Sequence, residues 1–432
     1  MTNIISQVES AFNAQGSNEP FDPIRGAIRD EAFTHVKTLG IPNRKLEAWK
    51  YTPVDRILDR GYAIPLIAVG DLTDEQLDKH LIPDLDAHFI VTLNGRIDQL
   101  KSNIGQLPPG VIISSLEHAL SNHSDLVARH FGKYARSEHD AFVAMNAAIS
   151  KSGLFIYVPS GTDIAQPIHI VHLSDAVDPT MTQTRSLVVM GEGSRATIVE
   201  TQSDTGRGLT FANNVLECAL DRHAFLDHYV LQRFTPKGSV VNTLYAHQEE
   251  SSVFDTHTIT LSGATIRNQP TIHPDAEHCT SHMYGVVMGS GEMHVDNHTL
   301  VDHAKPNCDS NELYKTILSG RSTGIFNGKV FVRRDAQQTN AYQSNKSVVL
   351  SDDAKMYSKP ELEIYADDVK CSHGATTGKL DAEAMFYLQA RGLSKPEAQR
   401  LLLMAFVGDV IEAIRLPSVQ SYVADRISEL IQ

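Results

Sequence analysis

The chain has 432 residues, 41% of them hydrophobic, which is enough to bury a substantial core in two or three packed units. Its 52 acidic and 38 basic residues give a net charge of -14, so a nucleic-acid partner is not expected. No stretch approaches the roughly 18 apolar residues of a membrane helix, no export signal opens the chain and no Cys-x-x-Cys occurs, which predicts a cytoplasmic protein without a membrane partner.

Residues 1–150 are predicted to form a mainly helical N-terminal region with a small pair of strands. Apolar residues recur every four positions after Asp22, which favours an amphipathic helix that begins there and ends at Gly40. The segment 88–97 is a strand that leads into an Asn-Gly pair, a pattern typical of a β-hairpin. A last helix is predicted over 140–149, and the break after it places a domain boundary near residue 150.

Residues 151–378 are predicted to form a β core, because short apolar or alternating runs follow one another with Gly, Asn, Asp or Ser between them. No helical period interrupts these runs, which excludes a doubly wound sheet of alternating strands and helices. The short runs carry Asn, Thr and Ser as well as Val and Ile on inward positions, which favours a parallel β-helix. The sequence shows no clean repeat period, so a jelly roll stays open as the alternative.

The segment Val369–Gly378 follows a strand-like run and precedes a helix, so Cys371 and His373 lie where the sheet region ends. Two positions apart on a strand, the two side chains would share a face. A thiol and an imidazole are soft-metal ligands, but one such pair cannot complete a four-coordinate site, which needs ligands from elsewhere. The alternative is a half-buried cysteine and a hydrogen-bonded histidine at a strand end.

Residues 379–432 are predicted to form a C-terminal helical domain. Asp381 is a candidate N-cap, and Ser394 with Glu397 has the spacing of a capping box. The second helix carries an apolar stripe that is broader than one core contact requires, and the stripe includes Leu402, Phe406 and Val410. Either this stripe docks a partner, or the helices bury it against each other and against the strand domain.

The search for catalytic motifs indicates a non-catalytic protein. The segment 324–330 is close to a phosphate-binding loop, but it lacks the spacing between glycines and the Ser or Thr that holds magnesium. The segment 191–196 imitates a dinucleotide fingerprint, yet it leads into another strand, so no helix N-terminus is available to the phosphates. We therefore expect no nucleotide hydrolysis by this chain alone.

Histidine is the one chemical excess, with 20 residues. On a strand, His294, Asp296 and His298 would share a face and form a donor set suited to a divalent metal. This pattern supports an alternative function, a stand-alone metal-dependent enzyme on an all-β scaffold. Outward-facing polar residues of a stacked sheet would give the same spacing, and nothing marks an acid, base or nucleophile beside them.

A set of distinctive motifs is spread along the chain: Glu47-Ala48-Trp49-Lys50-Tyr51-Thr52, Asp140 to Asn146, Val158-Pro159-Ser160-Gly161, Asn340-Ala341-Tyr342-Gln343, Lys370 to Thr376, Phe386-Tyr387-Leu388 and Arg391-Gly392. Together they resemble the SufD family, whose members are subunits of the SufBCD iron-sulfur cluster assembly scaffold. The resemblance spans almost the whole chain and is most specific in its C-terminal third. It implies a right-handed parallel β-helix between N-terminal and C-terminal helical regions.

The resemblance also implies partners and site residues. The partners are the paralogue SufB, paired through the end of the β-helix, and the ATPase SufC, docked on the C-terminal helices. His373 is implicated in cluster formation at the SufB interface as a possible iron ligand shared with SufB, and Cys371 belongs to the same motif. No tightly bound cofactor is implied, only transient iron or a cluster at that interface. The segment 350–356 lacks the cysteine that SufB carries there, so independent cluster building is not expected, and in isolation the chain is a candidate homodimer.

Overall fold

Two long β-sheets occupy the middle of the chain, with helices before and after them. The structure is a computed structural model that describes residues 4–18, 22–65 and 72–431. Residues 1–3, which open the segment where no export signal is expected, lie outside the described residues. No helix among the described residues is both long and apolar enough to span a bilayer. In chain order the helices are α1 (Ile4–Asn18), α2 (Pro23–Leu39), a 3-10 turn (Glu47–Trp49), α3 (Val54–Leu58), α4 (Asp74–Asp78), α5 (Leu116–Asn122), α6 (Ser124–His130), α7 (Ala141–Ile149), α8 (Ala382–Ala390), α9 (Lys395–Glu412) and α10 (Pro417–Leu430).

The strands, also numbered in chain order, alternate between the two sheets. The first sheet has the spatial order β19-β17-β15-β13-β11-β9-β7-β5-β1-β2. Its members are β1 (His88–Leu93), β2 (Arg96–Ile97), β5 (Ile168–Ser174), β7 (Arg195–Asp204), β9 (Phe225–Arg233), β11 (Val253–Ser262), β13 (Thr280–Gly289), β15 (Asp309–Leu318), β17 (Thr339–Val349) and β19 (Val369–Gly378).

The second sheet has the order β18-β16-β14-β12-β10-β8-β6-β4-β3. Its members are β3 (Ile112–Ser115), β4 (Leu154–Val158), β6 (Thr180–Met190), β8 (Thr210–Leu220), β10 (Gly238–Gln248), β12 (Thr265–Pro274), β14 (His294–His303), β16 (Thr323–Val332) and β18 (Lys355–Ile364). From β4 onward every pairing in both sheets is parallel, and each strand pairs with the strand two further along the chain. The chain is therefore a parallel β-helix with helices at both ends, as predicted, and the antiparallel jelly roll is excluded.

The coils of the β-helix differ in length, which explains the missing sequence repeat. Val240 on β10 pairs with Ile266 on β12, a coil of 26 residues, whereas Thr323 on β16 pairs with Lys355 on β18, a coil of 32 residues. Insertions at the corners absorb the difference while the strands keep their register. A fixed period therefore cannot be found in the sequence, although the coils stack regularly.

The N-terminal region contributes strands as well as helices. The predicted helix begins at Pro23, where the Asp22 carboxylate accepts from two backbone N–H groups, and ends at Gly40 with a φ of 63°. The predicted Asn-Gly hairpin joins β1 to β2. However, β1 also pairs in parallel with β5, and β3 pairs with β4. The boundary near residue 150 thus separates helix-rich from strand-rich sequence, while both sheets continue across it.

Three apolar cores hold these parts together. One lies inside the β-helix and includes Ile170 and Phe254. A second packs α1, α2 and α7 onto the second sheet, where it buries Phe211. A third packs α9 and α10 onto the first sheet, where it buries Ile259 and Ile317. Helices therefore cover both flanks of the earlier coils. Burial of apolar surface contributes about 25 cal/mol of stabilisation per Å², and this contribution holds the helices on the coils.

A buried ion pair fixes the loop after α6 to the second sheet. The guanidinium of Arg185 on β6 donates to the carboxylate of Glu217 on β8, with an Nη2–Oε2 distance of 2.9 Å, and both side chains are about 1% exposed or less. Glu217 also accepts from the backbone N–H groups of Gly132, Tyr134 and Ala135, at 3.0 Å each. A carboxylate with this many donors is fully compensated, so loss of either partner would leave a buried charge unpaired.

We predict that Arg185→Ala or Glu217→Ala lowers the free energy of unfolding by about 3–5 kcal/mol, because each leaves an uncompensated buried charge. Urea unfolding followed by circular dichroism measures this change. The matched control is Arg222→Ala, which breaks a solvent-exposed pair with Glu192 and should change stability little. Equal effects at Arg185 and Arg222 would contradict the prediction.

Candidate functional site

The last coil of the β-helix is open. Its strands, β18 and β19, are each the final strand of a sheet, so among the described residues one edge of backbone N–H and C=O groups on each has no neighbouring strand. We call β18 and β19 the terminal coil. Most of its residues are half-buried or exposed, unlike those of the earlier coils, and α8, which follows β19, buries none of its residues. A sheet edge of this kind is a ready template for another chain.

Cys371 and His373 continue columns of side chains that run through the inside of the coils. Register pairs His373 with Gln343 on β17, and Gln343 with Glu312 on β15. Gln343 and Glu312 are 3% and 1% exposed, so this column points to the interior. His373 is exposed only because no further coil follows it. Cys371 occupies the same side of β19, beside the buried Ala341.

The two side chains differ in environment. Cys371 is half-buried against an apolar cluster that includes Val330 and Ala341, and this burial raises the pKa of its thiol. The thiol is therefore protonated near neutral pH and must lose a proton before it can bind a metal. His373 is exposed, and a Cβ added at the adjacent Gly374 would meet no atom within 4 Å. The imidazole is thus accessible from outside the terminal coil.

The floor of the terminal coil is polar. The Thr299 hydroxyl donates to Glu312 Oε2 at 2.6 Å, and the Asn345 side-chain amide donates to the Ser358 hydroxyl at 2.8 Å. Burial raises the pKa of Glu312 to about 7, against the opposing effect of the Thr299 hydrogen bond. Several buried polar atoms here have no hydrogen-bond partner among the described residues: Glu312 Oε1, both amide atoms of Gln343, Asn345 Oδ1 and Ser347 Oγ.

Exposed aromatic side chains surround this end of the molecule. Tyr342 lies on β17, Tyr365 directly follows β18, and Phe386 and Tyr387 lie on α8, with exposed fractions between 46% and 73%. Tyrosine and phenylalanine are enriched at the centres of protein interfaces, where they bury large areas at a small cost in side-chain entropy. The open edges and the exposed aromatic groups therefore give this end of the β-helix two features that are typical of protein-binding surfaces.

Comparison with known protein families agrees with this architecture. A family model described as "SUF system FeS cluster assembly, SufBD core domain" matches residues 172–406, and a model of the "SufBD protein N-terminal region" matches residues 17–170. The chain belongs to the SufBD family. The core model covers the β-helix from β5 onward, including the terminal coil, and continues into α9.

Members of the SufBD family from three organisms are similar to the chain over nearly their full length. The chain is 28% identical to the iron-sulfur cluster assembly protein SufD of Escherichia coli, over 99% of this chain and 97% of that protein. It is 25% identical to SufD of Bacillus subtilis, over 94% and 93% of the two chains. An iron-sulfur cluster assembly SufBD family protein of Synechocystis is 29% identical over 91% and 88%.

The three predicted docking residues on α9 differ in accessibility. Val410 is fully buried in the core between α9, α10 and the first sheet. Phe406 is partly buried in the same core, with the ammonium of Lys315 4.8 Å from its ring centroid, and Leu402 is half-buried. Much of the broad apolar stripe thus packs on the β-helix. The docking role stays a prediction, in which Leu402 offers surface and Val410 holds the helix.

The alternative site of His294, Asp296 and His298 is not assembled for metal binding. The three residues share the outer face of β14, as predicted, but Asp296 accepts from the Arg267 guanidinium and, at 2.5 Å, from the Thr52 hydroxyl. Trp49 covers Arg267, whose guanidinium carbon lies 3.8 Å from the ring centroid. A guanidinium in this position already neutralises the carboxylate and would repel a cation, so the metalloenzyme interpretation is wrong for this trio.

The interior column beneath His373 was not recognised from sequence. Glu312, Gln343 and His373 lie 31 and 30 residues apart, but the coils vary too much in length for such offsets to be read without the register. The sequence does contain one signal for this column: side chains alternate between the two faces of β17, which places Ala341, Gln343 and Asn345 on the same face. That pattern predicts a polar interior without saying which residue stacks on which.

We predict that Glu312 makes the stability of the fold depend on pH. Its folded-state pKa of about 7 lies above the ordinary glutamate value of 4.5, so its contribution to the free energy of unfolding is fully present below pH 4.5 and is lost as pH rises through 7. Relative to Glu312→Gln, which cannot ionise, the wild-type chain should lose roughly 1–3 kcal/mol of stability between about pH 5 and pH 8. Urea unfolding of both proteins across this range tests the prediction, with the more exposed Glu363→Gln as control. A constant difference at all pH values would refute it.

Proposed function

We propose that this chain is a non-catalytic scaffold subunit of a cytoplasmic SufBCD complex for iron-sulfur cluster assembly. In this complex the terminal coil pairs with the paralogue SufB, and the C-terminal helices dock the ATPase SufC. The observation that carries the proposal is the open terminal coil of a SufBD-family chain. Cys371 and His373 lie on the interior-facing side of its last strand.

The chemistry of the terminal coil fits iron or a cluster as transient cargo. A neutral imidazole nitrogen is a borderline-soft ligand for iron, and a thiol becomes one after deprotonation. Two ligands from this chain leave further coordination positions for ligands from the opposite subunit. Stacking of a second β-helix on the open edges would bring such ligands to His373 and would bury the polar floor. The same edges would let two copies of this chain pair in isolation.

The conformation of the segment that resembles a phosphate-binding loop further supports the scaffold role. The nearest sequence match to a phosphate loop, at 324–330, is part of the regular strand β16 and has no loop conformation that could wrap a phosphate. Nucleotide chemistry therefore belongs to the partner ATPase in this proposal. The contribution of this chain is to position ligands, and its C-terminal helices transmit force or orientation from the ATPase to the β-helix on which they pack.

We predict that His373→Ala lowers iron and acid-labile sulfide in the purified complex by about tenfold or more, because a ligand is removed while a surface side chain contributes little to folding. Subunit stoichiometry should stay unchanged. Cys371→Ala should have a smaller effect, since its thiol is protonated at rest.

The matched control for this experiment is Ser372→Ala. Ser372 lies between the two site residues, is exposed, and points to the opposite side of β19. It should keep normal cluster content. An intact His373→Ala complex with normal iron and sulfide would show that His373 has only a structural role.

We predict that Leu402→Asp weakens binding of SufC at least about tenfold without unfolding the chain, because a charge replaces a half-buried apolar contact on the outer part of α9. Isothermal titration of the purified ATPase measures the change. The control is Leu100→Asp, which changes an exposed leucine of the N-terminal region, outside the C-terminal helices, and should leave the affinity unchanged. Unchanged affinity in Leu402→Asp, with an unaltered melting temperature, would place SufC elsewhere.

A further inference from the structure

A cluster of metal-binding side chains lies on the outer corner of the second sheet, away from the terminal coil. Register pairs His247, near the end of β10, directly with His273, near the end of β12. Asp275 follows β12 by one residue. One ligand atom from each of His247, His273 and Asp275 lies within 4.8 Å of the other two. Among the described residues this is the one group of three or more such side chains with that geometry.

The surrounding structure orients both imidazoles. His273 Nδ1 lies 3.1 Å from the backbone carbonyl oxygen of Asp302 on the neighbouring strand, and the Asp302 carboxylate is held by Arg333 at 2.8 and 2.9 Å. A histidine that donates from Nδ1 keeps a lone pair on Nε2, the arrangement usual for a metal ligand. His273 Nε2 lies on the Asp275 side, 3.7 Å from its Oδ1.

His247 is held from the other side by the N-terminal region. Its ring stacks on Tyr134, with centroids 5.0 Å apart and planes 15° from parallel. Tyr134 is fixed in turn by the Glu217 carboxylate, which accepts from its backbone N–H. His247 Nε2 lies 3.2 Å from the carboxylate of Glu249. Two His-x-acid segments, at 247–249 and 273–275, therefore lie side by side on adjacent coils.

The cluster is reachable from solvent and has the charge that a cation requires. The side chains of His247 and His273 are 18% and 28% exposed, and those of Glu249 and Asp275 are 46% and 42% exposed. Arg333, the cation nearest to His273 in these contacts, is already paired with Asp302. Arg333 also interacts electrostatically with Asp275, but its salt bridge is to Asp302, whereas the Arg267 guanidinium bonds directly to Asp296 in the trio on β14. The Asp275 carboxylate is therefore more accessible to a bound ion than that of Asp296.

We propose that His247, His273 and Asp275 form a binding site for one divalent first-row transition-metal ion, with Glu249 in reach as a fourth ligand. Two imidazoles and a carboxylate suit zinc or ferrous iron and leave coordination positions open. Metal–nitrogen distances of about 2.0–2.1 Å require only small side-chain movements from separations within 4.8 Å.

The location separates this site from the proposed cluster site. Three strand spacings of about 4.8 Å, roughly 14 Å, lie between β12 and β18 along the coil axis, and His373 is on the other sheet. If the proposed function holds, the ion bound here is ferrous iron held on the flank before use at the terminal coil. That last assignment rests on the proposed function, whereas metal binding itself does not.

The test uses the full-length isolated chain after removal of metal. Titration with Co²⁺, followed by its visible d–d absorption, should show one saturable site, and anaerobic Fe²⁺ should compete for it. His247→Ala and His273→Ala should each weaken Co²⁺ binding at least about tenfold. Asp275→Asn, at a 42% exposed position, tests the same site with little risk to folding. His278→Ala removes a nearby exposed histidine outside the cluster and should bind as the wild type does.

His373→Ala distinguishes failure of this proposal from failure of the proposed function. Normal Co²⁺ affinity in His373→Ala, with loss in the His247, His273 and Asp275 variants, supports a separate flank site whatever the cluster content of the complex. No saturable binding by the wild type, or equal affinity in wild type and Asp275→Asn, would overturn the site. Competition by Zn²⁺ but not by Fe²⁺ would overturn only the assignment to iron.

Discussion

Backbone hydrogen bonding between successive coils determines the rest of this structure. Each coil of a parallel β-helix satisfies its N–H and C=O groups with the coils on either side, so a coil at the end of the stack has half of these groups unpaired. At the start of the stack the antiparallel strands β2 and β3 close the sheets. At the other end no strand in the described part of the chain pairs with the outer edges of β18 and β19, and the helices α9 and α10 pack along the flank of the coil.

The same stacking rule turns side chains into columns, and a column continues to the open end. Burying an amide or a carboxyl costs free energy unless a hydrogen bond compensates it, so polar columns inside a coil are retained only where their partners are supplied. Farther from the end, the column of Gln202, Gln232 and Thr260 is linked by hydrogen bonds among its own side chains. Beneath His373, Gln343 and Glu312 have atoms that the described residues leave unpaired. A stacked second chain would continue this column beyond His373 and would pair the sheet edges.

Local chemistry could be predicted from the sequence, and long-range pairing could not. Asp381 and Ser394 cap helices as predicted, Asp22 and Asp140 cap the helices that were predicted to begin there, and the parallel β-helix follows from short strands with polar inward residues. These features depend on neighbours within four residues. Which residues stack depends instead on coil length, which varies with each corner, so the pairing of His247 with His273 or of Gln343 with His373 has no sequence signal. The sequence could not decide between the two alternatives for the stripe that contains Val410, because the surface that buries this residue includes distant strands.

The histidines show why the partner, and not the residue type, decides the chemistry. His169 and His257 lie inside the packed structure, where burial lowers their pKa values to about 4 and about 3, so they remain neutral and structural. On the outer face of β14, the carboxylate that could have joined His294 and His298 is taken by Arg267. One coil earlier on the same sheet, His273 has carboxylates at both ring nitrogens and an accessible edge. Arg267 bonds directly to Asp296 in the first case, whereas the guanidinium near Asp275 is paired with Asp302 in the second, so similar sequence patterns present different local charges to a cation.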